Sequence, residues 1–303
     1  MAFTAKDVQA LREKTGCGMM DCKKALTECD GNMEAAVDFL REKGLASQAK
    51  KADRVAAEGT VCAVVKNGVG AVVEMNAETD FVANGEPFKA LTAKIADIVI
   101  EQNPADMDAL LKCTKDGQTV EEMVQELFLA IRENIKVRRF MRFEGKLVSY
   151  VHGGGKIGVM VKFDTDADET NADFIAMGKN VAMQIAAMNP AFLDEASVPA
   201  EVIEKEKEIL VAQMKEDPKM ANKPDAVLGK IVEGKIGKYY KENCLVDQQY
   251  VVDGDMTVGK YVESVAKTLG TAVKIDSFVR FEKGEGIEKR KDDFAAEVAG
   301  MVK

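Results

Sequence analysis

At 303 residues the chain is long enough for two to three domains, each with a core of its own, and its 47% hydrophobic and 31% charged content is that of a globular protein. No apolar run reaches membrane-spanning length, and a formal net charge of −9 argues against nonspecific binding to nucleic acid, so protein partners are the simpler expectation. The opening MAFTAKDVQALREKTG is neither a secretory signal nor an Arg-rich transit sequence, and six cysteines (17, 22, 29, 62, 113 and 244) form no C-x-x-C pair, so a reducing, cytoplasmic setting with buried free thiols is expected.

Residues 1–53 read as three short helices, a compact peptide-binding module. Val8, Leu11 and Arg12 lie on the first, which Thr15-Gly16-Cys17-Gly18 ends. The second begins at Met19-Met20-Asp21, carries Cys22, Ala25 and Leu26, and stops at Asp30-Gly31. Asn32 caps the third, in which Ala36, Val37, Phe39 and Leu40 are apolar and Gly44 is expected as the C-cap. Residues 46–58, SQAKKADRVAAEG, read as a polar, alanine-rich linker.

Beyond Glu58 the sequence repeats itself. Val69-Gly70-Ala71-Val72-Val73-Glu74-Met75 aligns with Ile157-Gly158-Val159-Met160-Val161-Lys162-Phe163 at an offset of 88, and Phe88-Lys89-Ala90-Leu91 with Phe174-Ile175-Ala176-Met177 at 86. Thr119 through Glu144 matches Thr257 through Glu282 at 138 without a gap. Each copy reads as strand, turn, strand, helix, helix, strand: alternation in Thr60–Val65 and Arg139–Phe143 is strand-like, while Met123, Leu127, Ile131 and Ile135 keep helical spacing. Such runs predict an α+β fold with helices over one face of antiparallel sheets. The expected units are residues 54–145, residues 146–283 and a C-terminal module at 284–303.

The rise in offset from 86 to 138 places about 52 extra residues in the second copy, at about 190–242. Val202-Ile203 and Leu210-Val211 recur seven apart, Asp217-Pro218 and Lys223-Pro224 break the run, and Val227-Leu228, Ile231-Val232, Ile236 and Tyr239-Tyr240 form a second seam. Two helices joined by a Pro-containing turn predict a protruding hairpin, coiled or simply packed.

The chemistry of catalysis is sparse. Nucleophilic catalysis needs a base beside the nucleophile, and the one histidine, His152, has no G-x-S-x-G or H-E-x-x-H around it. His152-Gly153-Gly154-Gly155-Lys156 fails as a phosphate loop, because Tyr150 stands where the first Gly belongs and Ile157 where the hydroxyl belongs, so a hairpin turn is expected. Asp164-Thr165-Asp166-Ala167-Asp168-Glu169 lacks the Gly and Glu of a calcium loop and reads as a solvated loop. No cofactor, no metal and no catalytic residue are expected.

One stretch stands out: Ala77-Glu78-Thr79-Asp80-Phe81-Val82-Ala83-Asn84 sets a large aromatic between an acid and a valine in what should be a turn. By itself this is unremarkable, since Phe81 can fold back onto its own domain. Together with Thr15–Leu26 (TGCGMMDCKKAL) and Arg280–Lys289 (RFEKGEGIEK), the Thr79-Asp80-Phe81-Val82-Ala83 motif closely resembles the elongation factor Ts family of bacteria, across the whole chain and in the family's order. The resemblance implies a ubiquitin-associated-like three-helix module, two related core subdomains and a coiled-coil insertion in the second. It also implies guanine-nucleotide exchange on the GTPase elongation factor Tu. Carried over, Asp80 and Phe81, flanked by Thr79 and Val82, act close to the partner's magnesium and phosphate site. Arg12, Met19, Met20 and Lys23 match the module surface that meets the GTPase domain, Ile131 matches a further contact on elongation factor Tu, and His152, Val251 and Val252 match contacts on another of its domains. Met19 and Met20 read equally well as core. Where the family often has Ile-Gly-Glu-Asn-Ile, this chain has Ile131-Arg132-Glu133-Asn134-Ile135, which puts any contact relying on the small Gly in question. No direct nucleic-acid or membrane contact is implied, and a dimer or two-to-two complex is left open. The rival reading from another class is a scaffold or ubiquitin-like-binding protein.

Overall fold

The computed structural model describes residues 3–216 and 223–288. Three helices open the chain: α1 (Ala5–Thr15), α2 (Met19–Glu28) and α3 (Met33–Lys51). Their limits follow local chemistry. The Thr4 N–H and hydroxyl both donate to Asp7, Gly16 closes α1 in the left-handed region at φ 65°, and the Asn32 side chain accepts from the N–H groups of Glu34 and Ala35. Gly44 does not end α3, as the sequence suggested; the helix runs on to Lys51 and takes in much of the expected linker. The reason is tertiary: a Cβ at Gly44 would fall 2.1 Å from Leu129 Cδ2, so the glycine serves close approach, and Leu129 joins Val8, Leu11, Leu26 and Leu40 in the three-helix core.

The rest is built from β1 (Glu58–Lys66), β2 (Val69–Ala77), α4 (Asp80–Asn84), α5 (Glu86–Gln102), α6 (Met107–Lys112), a short hairpin β3 (Thr114–Lys115) and β4 (Gln118–Thr119), α7 (Val120–Ile131) and β5 (Lys136–Glu144). Then follow β6 (Lys146–His152), β7 (Ile157–Thr165), α8 (Ala172–Met188), α9 (Ala200–Glu216), α10 (Asp225–Asn243), α11 (Val258–Leu269) and β8 (Val273–Glu282). The fold is mixed α+β with antiparallel sheets, in the order β1-β2-β5 and β6-β7-β8.

The sequence repeat is a structural one, down to its irregularities. β2–β5 slips register between Glu74 and Met75, and β7–β8 slips between Lys162 and Phe163, 88 residues on. Helices α5 and α8 end on Asn103 and Asn189 with identical angles (φ 46°, ψ 56°), and α7 and α11 end on Arg132 (φ 66°) and Gly270 (φ 68°). The ion pair at the bulge is kept with its polarity reversed: Glu74 meets Arg138 and Arg139 in the first copy, and Lys162 meets Asp276 in the second.

Each sheet carries helices on one face and the other sheet on its other face. Ala71, Val73, Met75 and Val137 pack with Phe88, Ile95, Val99 and Phe128, and Val159, Val161 and Phe163 pack with Phe174, Val181, Ile185 and Val262. Between the sheets lie Val61, Val72, Leu147, Met160 and Phe281. Central strands buried on both faces explain why β2 and β7 read as apolar runs where a one-sided sheet would alternate. The sheets meet closely at the equivalent glycines Gly70 and Gly158. A Cβ at Gly158 would fall 2.4 Å from Val61 Cγ1, on a stiff side chain, whereas at Gly70 it would meet the flexible end of Met160 at 2.7 Å. Gly158→Ala is therefore expected to cost about 1–3 kcal/mol in urea unfolding, and Gly70→Ala less.

The insertion leaves and rejoins the second copy at one point, where the Ala191 and Phe192 N–H groups both donate to the Asn243 carbonyl. Helices α9 and α10 pack through Ile203, Leu210, Met214, Val232 and Ile236, as a helical hairpin requires. The Asp217-Pro218 break lies outside the described residues, as does most of the expected C-terminal module, from Lys289 onward. On α10, Cβ atoms at Gly229, Gly234 and Gly237 would meet nothing within 4 Å. Gly234→Ala is expected to stabilise the protein by up to about 1 kcal/mol, read as a higher unfolding midpoint, because alanine restores helix propensity at no steric cost.

Candidate functional site

The Thr79–Asn84 turn is set by its cap and its inward residues. Thr79 is the N-cap of α4, its hydroxyl accepting from the Val82 N–H at 3.3 Å. Val82 and Ala83 drop into the core beneath. With 100° between successive residues, a single turn that buries those two must send Asp80 and Phe81 outward. Phe81 is 87% exposed, more than any other large apolar side chain among the described residues, and the reading in which it folds back onto its own domain does not hold. Val82, carried over with the motif, is buried, so its exposed part is Thr79, Asp80 and Phe81.

The turn is held from outside its own segment. Glu133, just past α7, accepts from the Thr79 N–H at 3.0 Å and from its hydroxyl at 2.8 Å. Its neighbour Asn134 donates its N–H to Glu78 at 2.6 Å and its side-chain amide to the carbonyls of Ala52 and Arg54. Helix α7 ends at Ile131, short of the helical spacing that the sequence continues to Ile135, and within Ile131–Ile135 Glu133 and Asn134 brace the turn. Ile131 itself is half-buried against the core that carries Val82.

On α2, Met19 is 45% and Met20 75% exposed, which removes them from the core, and Arg12 and Lys23 are exposed on the same three helices. Leu11, Cys22 and Leu26 fill the inside. Burial pushes the Cys22 thiol up, as expected for an inert interior cysteine.

His152 ends β6 and is exposed, its Nδ1 within 3.0 Å of the Tyr150 hydroxyl. The glycines after it turn the chain into β7, and the Gly155 carbonyl accepts the Val61 N–H at 2.8 Å, so this hairpin turn is docked on the first sheet. Val251 and Val252, 51% and 72% exposed, lie on the segment before α11. That segment hangs on a buried amide: Gln184 of α8 accepts from the Val251 N–H at 2.9 Å and donates to the Gln249 carbonyl at 3.1 Å. Beside it Tyr250 stacks on Tyr261 with ring centres 4.3 Å apart, and burial pushes its phenol up to about 12. Gln184, a polar residue on the apolar face of α8, was the one sequence signal for this support.

Among the described residues no group of three or more His, Cys, Asp or Glu side chains could hold a metal ion, and no helix is long and apolar enough to cross a membrane. The large apolar side chains most exposed among the described residues are Phe81, Met20 and Val252.

The family model described as "Elongation factor TS" matches residues 78–285. Elongation factor Ts of Syntrophotalea carbinolica is 49% identical over 308 residues, spanning the whole of both chains. That of Clostridium perfringens is 50% identical over 305 residues, 99% of each chain, and that of Nitratiruptor is 47% identical over 309, all of each. A family match over more than half of the chain, with end-to-end relatives at this identity, places the protein: it belongs to the elongation factor Ts family of translation elongation factors.

Proposed function

We propose that the chain binds elongation factor Tu carrying GDP and promotes release of the nucleotide, with Phe81 as a wedge and Asp80 beside it. The observation that carries this reading is a phenyl ring held 87% exposed on a capped turn that Glu133 braces from another element. An aromatic costs free energy in water and is kept there when a partner's cleft receives it. Mg²⁺ requires near-octahedral coordination, so a small displacement of the partner's magnesium ligands weakens its hold on the phosphates. Such a factor needs no catalytic group of its own. The Met19-Met20 surface, with Arg12 and Lys23, and the His152 and Val251-Val252 surfaces supply further binding; Ile131 and Val82 support the turn from below.

The test is release of fluorescent GDP from elongation factor Tu into excess dark GDP, with and without the chain. Accelerated release is expected, and binding without acceleration would support the scaffold reading instead. Coupling between two ligands of one protein is reciprocal, so the chain should bind nucleotide-free Tu more tightly than Tu with GDP, by the factor through which it weakens GDP. Equal affinities would refute exchange.

A further inference from the structure

We propose that Arg132 is a positioning residue that locks the amino-terminal helices to the Phe81 turn, so that two separate surfaces meet the partner at a fixed angle. This rests on the exchange reading above, in which both the Met19-Met20 surface and the turn contact elongation factor Tu.

Arg132 closes α7 at φ 66°, ψ 20°, a left-handed conformation that side chains with a Cβ adopt at a cost and that glycine adopts freely. The equivalent cap in the second copy is Gly270, at φ 68°, with open space around it. An arginine in a glycine's conformation points to work done by its side chain. Its Nη2 lies 2.9 Å from Asp21 Oδ2, in the first turn of α2 and next to Met20. Its carbonyl accepts from Lys51 Nζ at the end of α3. The following two residues are the braces of the turn, Glu133 on Thr79 and Asn134 on Glu78. Three consecutive residues thus hold α2, α3 and the approach to α4.

Packing alone would not do this. Leu129 seats against Gly44 and the three-helix core, which fixes how close the helices lie to α7. Gly16 also lies close to Ala130, and Arg41 pairs with Glu122, so α1 and α3 are seated along α7. None of these contacts involves α2, and the ion pair from Arg132 to Asp21 adds that tie, beside Met20 and one residue before the braces of the turn.

The test uses the full chain with Arg132→Gly, which keeps or eases the backbone conformation and removes the guanidinium. The melting temperature is expected to stay close to wild type. The Tu·GDP concentration for half-maximal exchange should rise about two- to fivefold, the size an ion pair between part-exposed side chains can supply, while the maximal rate is unchanged because the wedge is intact. Arg132→Lys, which keeps the charge without the planar fork, should recover part of the loss. Asp21→Asn should reproduce Arg132→Gly, and the double variant should be no worse than either. In hydrogen exchange without any partner, the Thr79 and Asn134 amides should exchange faster in Arg132→Gly. Unchanged half-saturation with unchanged amide protection, or additive effects of the two single variants, would overturn the proposal. If the wild-type chain fails to accelerate release, the exchange reading falls, and the amide measurement alone decides the lock.

Discussion

Phe81→Ala is expected to reduce the acceleration of GDP release on the order of 30- to 150-fold while leaving the fold intact. Burying a phenyl ring in an apolar cleft is worth roughly 2–3 kcal/mol, and about 1.4 kcal/mol is tenfold in rate. The ring makes no core of its own: at 87% exposure its removal should change stability by no more than about 0.5 kcal/mol, against the 3–5 kcal/mol that truncating a buried Phe costs. Exchange rate and thermal unfolding measured on one preparation check both halves. A loss of activity that tracks a large fall in melting temperature would show that Phe81 has a structural role. An effect near a thousandfold would require about 4 kcal/mol, more than one ring supplies, so under the proposed exchange reading Asp80 and the distant surfaces are expected to supply the remainder of any larger acceleration.

The largest effect on stability is expected at Glu74. This carboxylate is fully buried on β2, where the bulge aims two consecutive arginines at it: Arg138 Nη1 at 3.0 Å and Arg139 Nε at 2.5 Å. It also accepts the Gly284 N–H at 2.8 Å, while Arg139 lies 4.2 Å from the Phe281 ring centre and donates to the Glu282 carbonyl. The cluster therefore ties the first sheet to the segment that follows β8. Removing one partner of such a set strands the others, and Glu74→Gln should cost about 3–5 kcal/mol, measured by urea unfolding at neutral pH. Its pH dependence has a definite sign. Burial by itself pushes the Glu74 carboxyl up, but the Gly284 N–H and the two guanidiniums outweigh it and hold it below the usual carboxylate value of 4.5. A group depressed in the folded state stabilises fully above its unfolded pKa and loses that contribution as pH falls through the folded one. Wild type should thus lose stability more steeply than Glu74→Gln below about pH 4.5, and the gap between them should narrow. A constant gap would mean that Glu74 does not carry its charge in the fold.

Much of the architecture was legible because its causes are local. The turn at Asp30-Gly31 and the cap at Asn32 lie within a few residues of the helices they bound, and the 88- and 138-residue offsets carried over to matching bulges and to matching N-caps at Thr119 and Thr257. The hairpin was visible as an excess of residues between matched helices, and its seam at Ile203, Leu210, Val232 and Ile236 as a period.

The candidate site was legible only as a motif. The sequence by itself determined an α+β chain with an internal repeat, a helical insertion, and an aromatic placed oddly in a turn. Only the tertiary structure decided that Phe81, Met19 and Met20 face solvent, that Val82 does not, that α3 continues through Gly44, and that Glu133 and Asn134 hold the turn. The physical reason is range: caps, turns and periodicity act between residues a few positions apart, whereas burial and the partners of Thr79, Gly44 and Glu74 come from segments 54 to 210 residues away, which meet only once the chain has packed.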